Sequence, residues 1–346
     1  MTSHRLVLPF LLAWPAVAAA QESPQPAPEL QKYAPLIGSW HGTGTAQMGP
    51  GEPSKWESRS TYSWALGGFF VQEDTVVTFA DMAKPLIMRG YFGWDAENGR
   101  YVAAGADNDG HVGMHEVQFL GDGSMVRLVE TFHEGQTFLE RYTVKVDGDA
   151  MAFSIDMMAA AGPASAAVVG TMKRADKPVA VAANASSFTA APAAPVAALA
   201  RTAGTFAVEA TMRMMPDAPP MQVSGTDVVT PLFGGTIVHV HTTGKAEGIP
   251  EEYVGELYYG YDEKRGCLHA VHVSNMGEIG EMSGGFTEDG RQLVLTAAQR
   301  FLGQPAVQRV VMHLDASGAP TKAVGHCLLG TAAPYESWDA TYKKTN

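Results

Sequence analysis

The sequence predicts an all-β protein built as two tandem antiparallel up-and-down β-barrels, and three observations lead there. The same punctuation occurs twice: Gly38-Ser39-Trp40 recurs as Gly204-Thr205-Phe206, Gly67-Gly68-Phe69 as Gly234-Gly235-Thr236, and Tyr91-Phe92-Gly93-Trp94-Asp95 as Tyr258-Tyr259-Gly260-Tyr261-Asp262. Each copy reads as short alternating strands closed by tight turns, with no long amphipathic helix. A meander of sequential hairpins removes its exposed edges most completely by closing into a barrel.

The N-terminus stands apart from both copies. His4 and Arg5 precede the apolar stretch Leu6 to Val17, and Ala18-Ala19-Ala20 satisfies the small-residue rule for signal peptidase, so residues 1–20 are expected to be a signal peptide cleaved near Ala20. The apolar stretch is too short for a membrane anchor, and no later run is long enough to span a bilayer. No cysteine lies at the cleavage point to carry a lipid, which places the mature chain in the periplasm or outside the cell. A Pro-rich segment at 21–33 then leads into the first barrel domain at 34–174.

Within that domain Arg141-Tyr142-Thr143-Val144-Lys145-Val146 alternates polar with apolar, turns at Asp147-Gly148-Asp149, and resumes at Ala150. Tyr91 to Trp94 likewise precedes a turn in which Asn98-Gly99 accommodates positive φ. Residues 175–200 change to Ala, Pro and Val without periodicity; they read as an extended linker with room for one helical turn at Val196 to Ala200. The second barrel domain follows at 201–346, where Asn275 answers Asn108, Asp289-Gly290 answers Asp122-Gly123, and Asp315 answers Asp147. The period far exceeds the roughly 20 to 50 residues of solenoid repeats, so each copy is expected to hold its own core.

Composition narrows the partners. The 346 residues are 46% hydrophobic and 17% charged, as in globular proteins. Lys and Arg number 24 against 36 Asp and Glu, for a net charge of −12, and loss of Arg5 makes the mature chain one unit more acidic. That balance argues against nucleic acid or anionic lipid as a partner. Cys267 and Cys327 lie in the second copy, and an oxidising compartment leaves two alternatives, a disulfide or two inert thiols.

The stretch Leu36-Ile37-Gly38-Ser39-Trp40-His41-Gly42-Thr43-Gly44, then Met48-Gly49-Pro50-Gly51, Leu66-Gly67-Gly68-Phe69 and Gly90-Tyr91-Phe92-Gly93-Trp94-Asp95, with Tyr101 and Asp107 following, resembles the bacterial family of unknown function DUF1579. The resemblance covers most of residues 34–174. The second copy departs from it, with Phe206 for Trp40 and Met214-Met215-Pro216-Asp217 for the Met-Gly-Pro-Gly turn. The resemblance implies calycin-like barrels, akin to lipocalins, fatty-acid-binding proteins and haem-binding nitrobindins, and it carries no catalytic residues. It also implies that Trp40 and Phe206 seal the closed ends of their barrels by packing.

Four histidines of the second copy form the metal candidate. His239 and His241 lie two apart in the strand Ile237 to Thr242 and project from one face, close enough to ligate one ion. His269 and His272, three apart, fall on opposite faces of a regular strand, so one of them is available to join the pair. Because Val238 and Val240 are the apolar residues of that strand, the alternative sends the histidines to water; the first copy has Gln72 and Asp74 there. Asn108 and Asn275 are candidates for hydrogen-bonding a ligand at a barrel mouth, against the alternative that they only terminate strands. Met114 and Met157-Met158 suit an adaptable apolar pocket or ordinary core filling, and Met212-Arg213-Met214-Met215 with Met221 admits soft-metal binding.

The sequence holds no Gly-x-Ser-x-Gly elbow, His-Glu-x-x-His, Walker loop or dinucleotide fingerprint, and no pair of carboxylates is marked for acid and base roles. The favoured reading is therefore non-enzymatic enclosure of a small, largely apolar molecule in one or both barrels, with no cofactor required. A metal- or haem-dependent enzyme using the second-copy histidines, and a structural pair with filled interiors, remain as alternatives. Oligomeric state has no sequence signature here.

Overall fold

The computed structural model describes residues 24–47, 51–133, 135–159, 165–178, 191–316, 318 and 320–345. The expected signal peptide and most of the Ala/Pro-rich stretch between the copies lie outside the described residues.

The first copy forms β1 (Gly38–Ala46), β2 (Ser54–Ala65), β3 (Phe70–Phe79), β4 (Leu86–Asp95) and β5 (Arg100–Asp107). It continues through β6 (Val112–Phe119), β7 (Met125–His133), β8 (Gln136–Asp147), β9 (Ala150–Ala159) and β10 (Ser165–Ala175). The second copy repeats the series as β11 (Gly204–Met212), β12 (Met221–Leu232), β13 (Ile237–Ala246), β14 (Tyr253–Asp262) and β15 (Cys267–Ser274). It ends with β16 (Ile279–Phe286), β17 (Gln292–Phe301), β18 (Gln304–Leu314), β19 (Pro320–Leu329) and β20 (Tyr335–Lys344). Every neighbour is antiparallel, and β1 closes on β10 as β11 closes on β20, giving two closed ten-strand barrels in tandem.

Alternation sets what faces in. Along β2, Trp56, Ser58, Ser60 and Tyr62 are buried while Lys55, Glu57 and Arg59 are exposed, the period of two expected of a sheet with one solvated face. At the corner from β2 to β3, Gly67 adopts φ 70°, and Gly234 adopts φ 72° at the matching corner. Both sit in the left-handed region that glycine enters without steric cost.

One end of each barrel is plugged. The 3-10 helix Pro28–Leu36 lays Leu30, Tyr33 and Leu36 across the first barrel, where the Tyr33 ring meets Tyr101 and Phe119 edge-on at 5.7 and 5.3 Å. Beneath it the Trp40 indole N–H donates to the Leu36 carbonyl at 2.7 Å, and the Arg174 guanidinium lies 4.2 Å from the indole centroid. In the second barrel the short helix α1 (Ala194–Ala200) takes the same place, burying Val196 and Leu199 in the core that contains Phe206. The last residues of the stretch read as linker are thus built into the second barrel.

The barrels join through matching outer faces. Tyr91 and Tyr258, separated by 167 positions, meet hydroxyl to hydroxyl at 3.1 Å. Around them the apolar cluster contains Phe70 with Ile237, Ala104 with Val271, Ala106 with Val273, and Val112 with Ile279, each pair occupying equivalent positions of the two copies. The same patch meets itself, the arrangement of an isologous dimer contained in one chain. Two backbone N–H groups, of Leu302 and Gly303, add hydrogen bonds to the Glu97 carboxylate at 3.1 and 2.7 Å.

Trp40 is 1% exposed, so truncating it leaves a large void under the plug. Trp40→Ala should lower the unfolding free energy of the first barrel by about 3 to 5 kcal/mol, read from urea denaturation.

Candidate functional site

The interior of the first barrel is hollow beyond its plug, with a cavity of about 350 Å³. Trp56, Phe92, Met151, Phe153 and Met172 supply apolar wall, and a cluster of polar side chains faces them. Tyr62 donates its hydroxyl hydrogen bond to Glu73 Oε1 at 2.7 Å, and Thr75 Oγ1 sits 3.0 Å from the same oxygen and 2.7 Å from Ser60 Oγ. Across the barrel Tyr142 and Thr131 donate to the two oxygens of Glu140 at 2.7 and 2.9 Å. Burial, reinforced by the neighbouring carboxylates, raises both tyrosine pKa values, so each stays a donor.

Arg127 lies on the strand between these groups, with its guanidinium 4.3 Å from the Tyr142 centroid. No carboxylate among the described residues comes within ion-pair distance of it. His115 also lines the cavity; burial and then the Arg127 charge push its pKa down to about 3, leaving a neutral imidazole. Ser58 turns a buried hydroxyl inward that has no hydrogen-bond partner among the described residues.

The second barrel shows why the first is open. Register places Glu73 opposite Gly90 and Arg127 opposite Tyr142 in the first barrel. At the equivalent points the second barrel has Val240 opposite Leu257 and Leu295 opposite Val310, all four in its continuous apolar core. The cross-strand pair Ser60 and Thr75 becomes Asp227 and Thr242, with the threonine donating to Asp227 Oδ1 at 2.7 Å. Burial raises the Asp227 pKa to about 7, opposed by the Thr242 hydrogen bond and by His241, and its Oδ2 has no partner.

The second barrel also borders the cavity of the first. Tyr261 and Asp262 at the end of β14, with Glu263 and Lys264 of the turn that follows, form part of its lining, and Lys264 pairs with Glu130 of β7. Near this border β6 and β7 pair at only three positions, Val117 to Phe119 against Arg127 to Met125. His115 lies beyond the end of that ladder, within electrostatic reach of Glu281 and His269 on the second barrel.

The residues singled out from the sequence are placed elsewhere. His239 and His241 do share a face, on the outside of the second barrel, where both bond Glu256 at 2.6 and 2.9 Å and His239 stacks on Tyr258 at 4.6 Å. Burial alone would raise the Glu256 pKa, but hydrogen bonds from His239 and His241 outweigh it and hold the carboxylate ionised. His269 faces the barrel junction and pairs with Glu281 at 3.4 Å, whereas His272 points into the second barrel, where Nδ1 lies 3.1 Å from the Gly280 carbonyl. Among the described residues no group of three or more His, Cys, Asp or Glu is arranged to hold a metal ion.

Asn108 is fully buried, its Oδ1 accepting from the Ile87 N–H at 2.9 Å and its Nδ2 donating to the Pro85 carbonyl at 2.9 Å. Asn275 repeats those bonds with Val254 and Glu252, so both amides fasten the end of one strand to its neighbour rather than line the cavity. Met114 packs in the cluster between the barrels, Met212 and Met214 pack in the second core, and Cys267 and Cys327 are both free thiols. Sequence reasoning missed Tyr62, Glu73, His115, Arg127 and Tyr142. The signal that could have found them is polar or charged residues at inward positions of one copy where the other has aliphatics.

The family described as "Protein of unknown function (DUF1579)" matches residues 25–174 and 191–318, and the chain belongs to it, in two tandem copies. Among curated proteins none matches the chain. The crystal structure of Rv2717c from M. tuberculosis is similar at 19% identity and a TM-score of 0.34, over 44% of this chain and 99% of that one. A protein of unknown function from the DUF3598 family of Nostoc punctiforme is similar at 11% identity and a TM-score of 0.27, over 92% of this chain and 100% of that one.

The buried Asp227 makes the second barrel sensitive to pH. Its folded pKa of about 7 lies above the ordinary 3.8, so the folded chain keeps a proton that the unfolded chain has released, and stability falls as pH rises between those values. Asp227→Asn should remove this dependence and raise stability at pH 8 by up to about 4 kcal/mol while changing little at pH 4, measured by denaturant unfolding at the two pH values.

Proposed function

We propose that the first barrel encloses a small amphipathic molecule and that the second, filled barrel braces it and walls part of the entrance. The observation that carries this reading is the contrast between two copies of one fold: the second gathers Val240, Leu257, Leu295 and Val310 into one buried apolar core, while the first keeps about 350 Å³ open at the equivalent positions. That volume lies within the range of small-molecule sites, which combine an apolar wall with a few placed polar groups. The polar cluster distinguishes this reading from a purely apolar ligand, because a wholly apolar guest would take water from the Ser58 hydroxyl and the Arg127 guanidinium without giving them a partner.

Enclosure would act through burial. A guest hiding about 200 Å² of apolar surface gains about 5 kcal/mol, before the loss of its own freedom of motion. No covalent step is required of the protein. The N-terminal segment supports a periplasmic or secreted setting, where such a barrel would carry or sequester its guest.

Gly90 offers a direct test. It lines the cavity, a Cβ there would meet only ordinary contacts at 3.5 and 3.6 Å, and the second copy has Leu257 at that point. N-phenyl-1-naphthylamine should bind the native chain with a rise in fluorescence, and Gly90→Leu should weaken that binding at least tenfold without lowering the melting temperature. Undiminished binding by a folded Gly90→Leu chain would place the dye elsewhere and reject the enclosure.

A further inference from the structure

We infer that the first barrel selects organic anions, an acidic head on an apolar body, and that Arg127 is the residue that holds the head. This rests on the enclosure reading and goes beyond it by naming the charge of the guest. The juxtaposition that carries it is a guanidinium in the wall of a cavity beside two interior acids, Glu73 and Glu140, that have their own donors.

The interior charges can be followed one by one. Glu140 receives Tyr142 on one oxygen and Thr131 on the other. Glu73 Oε1 receives Tyr62 and lies beside Thr75. His115 is a neutral ring that can donate one N–H but brings no charge. Asp107 and His111, farther out along the lining, pair with each other at 3.0 Å. Glu130 is engaged by Lys264 at the entrance. Arg127 differs from all of these, since its contact is the Tyr142 ring, which steers the cation, and among the described residues no acceptor takes a hydrogen bond from its N–H fork.

An arginine cannot relieve that situation by losing its proton, so it carries an unmatched charge until an anion arrives. The fork geometry suits the oxygens of a carboxylate or sulfonate, and the neighbouring aromatic and methionine side chains suit an apolar body. The second copy supports this from within the same molecule. The position equivalent to Arg127 is Leu295, 1% exposed and part of a packed core, so closing the barrel does not require a cation there. A charged side chain kept in a cavity with no carboxylate partner among the described residues is the pattern of stability given up for binding.

Two dyes with the same body separate the anchor from the enclosure. 8-Anilinonaphthalene-1-sulfonate carries the anionic head that N-phenyl-1-naphthylamine lacks, and both report apolar surroundings by fluorescence. In the full chain, Arg127→Met should lower the affinity for the sulfonate at least tenfold and leave that for the neutral amine within about twofold. The unliganded variant should melt at the same temperature as the native chain or higher, because an unmatched charge has been replaced by a side chain that fills space. Should Arg127→Met not fold, Arg127→Gln takes its place with the same expectations. Equal loss of both dyes, or no change in either, overturns the anchor and leaves the enclosure standing. Failure of the native chain to bind either dye overturns both.

Discussion

A closed barrel gives each inward-facing side chain a single destination. Because successive residues of a strand point to opposite faces and the sheet has no free edge, whatever occupies the inward positions must fill the interior or leave it hollow. Both barrels obey the same strand order and nearly the same register, so their interiors differ only through the residues at those positions. In the first, Ser58, Ser60, Thr75 and Gly90 are too small to meet across the axis, and Glu73, Arg127 and Tyr142 are too polar to be packed as oil. In the second, Val208, Val240, Leu257, Leu295 and Val310 meet in one apolar core. The polar cavity thereby belongs to one copy, while the other keeps the same architecture around an apolar core.

The junction between the barrels follows from the same duplication. Equivalent outer faces meet with Tyr91 against Tyr258, so the apolar part of the contact is a surface matched to a near copy of itself. The polar part is not symmetric. Arg89 is bound by Asp74 at 2.7 Å in the first copy, while at the equivalent positions Glu256 is bound by His241 at 2.9 Å in the second. Like copies would set like charges near the axis, whereas these two copies set a cation on one side and an anion on the other, a pattern that favours pairing of first with second. The histidines that look like a metal pair in sequence belong to this junction, where they hold Glu256 charged.

The fold was legible because its signals are local. Glycine and Asp-Gly turns, alternation along strands and the repeated Gly-x-aromatic openings each act within a few residues, and together they fix the number, direction and succession of hairpins. Asn108 and Asn275 were legible as turn residues for the same reason, and that reading outweighed the one as ligand contacts. The helix α1 was only half legible, since a short Ala/Val run does not reveal that Phe206 awaits Val196 and Leu199.

The sequence by itself determined two copies of an all-β meander, their closing aromatics Trp40 and Phe206, and the parity that sends each strand residue to one face or the other. Tertiary structure alone decided which face was the interior of a hollow barrel and which met the other copy. Arg127, Tyr142, Glu73 and Tyr62 come from four strands, and His239, Glu256 and Tyr258 come together through the register of β13 on β14. Tyr62 meets Glu73, and Arg127 meets Tyr142, across a single hairpin each, but only closure of the sheet over the whole copy brings the two hairpins to one interior, and no short window of sequence contains both.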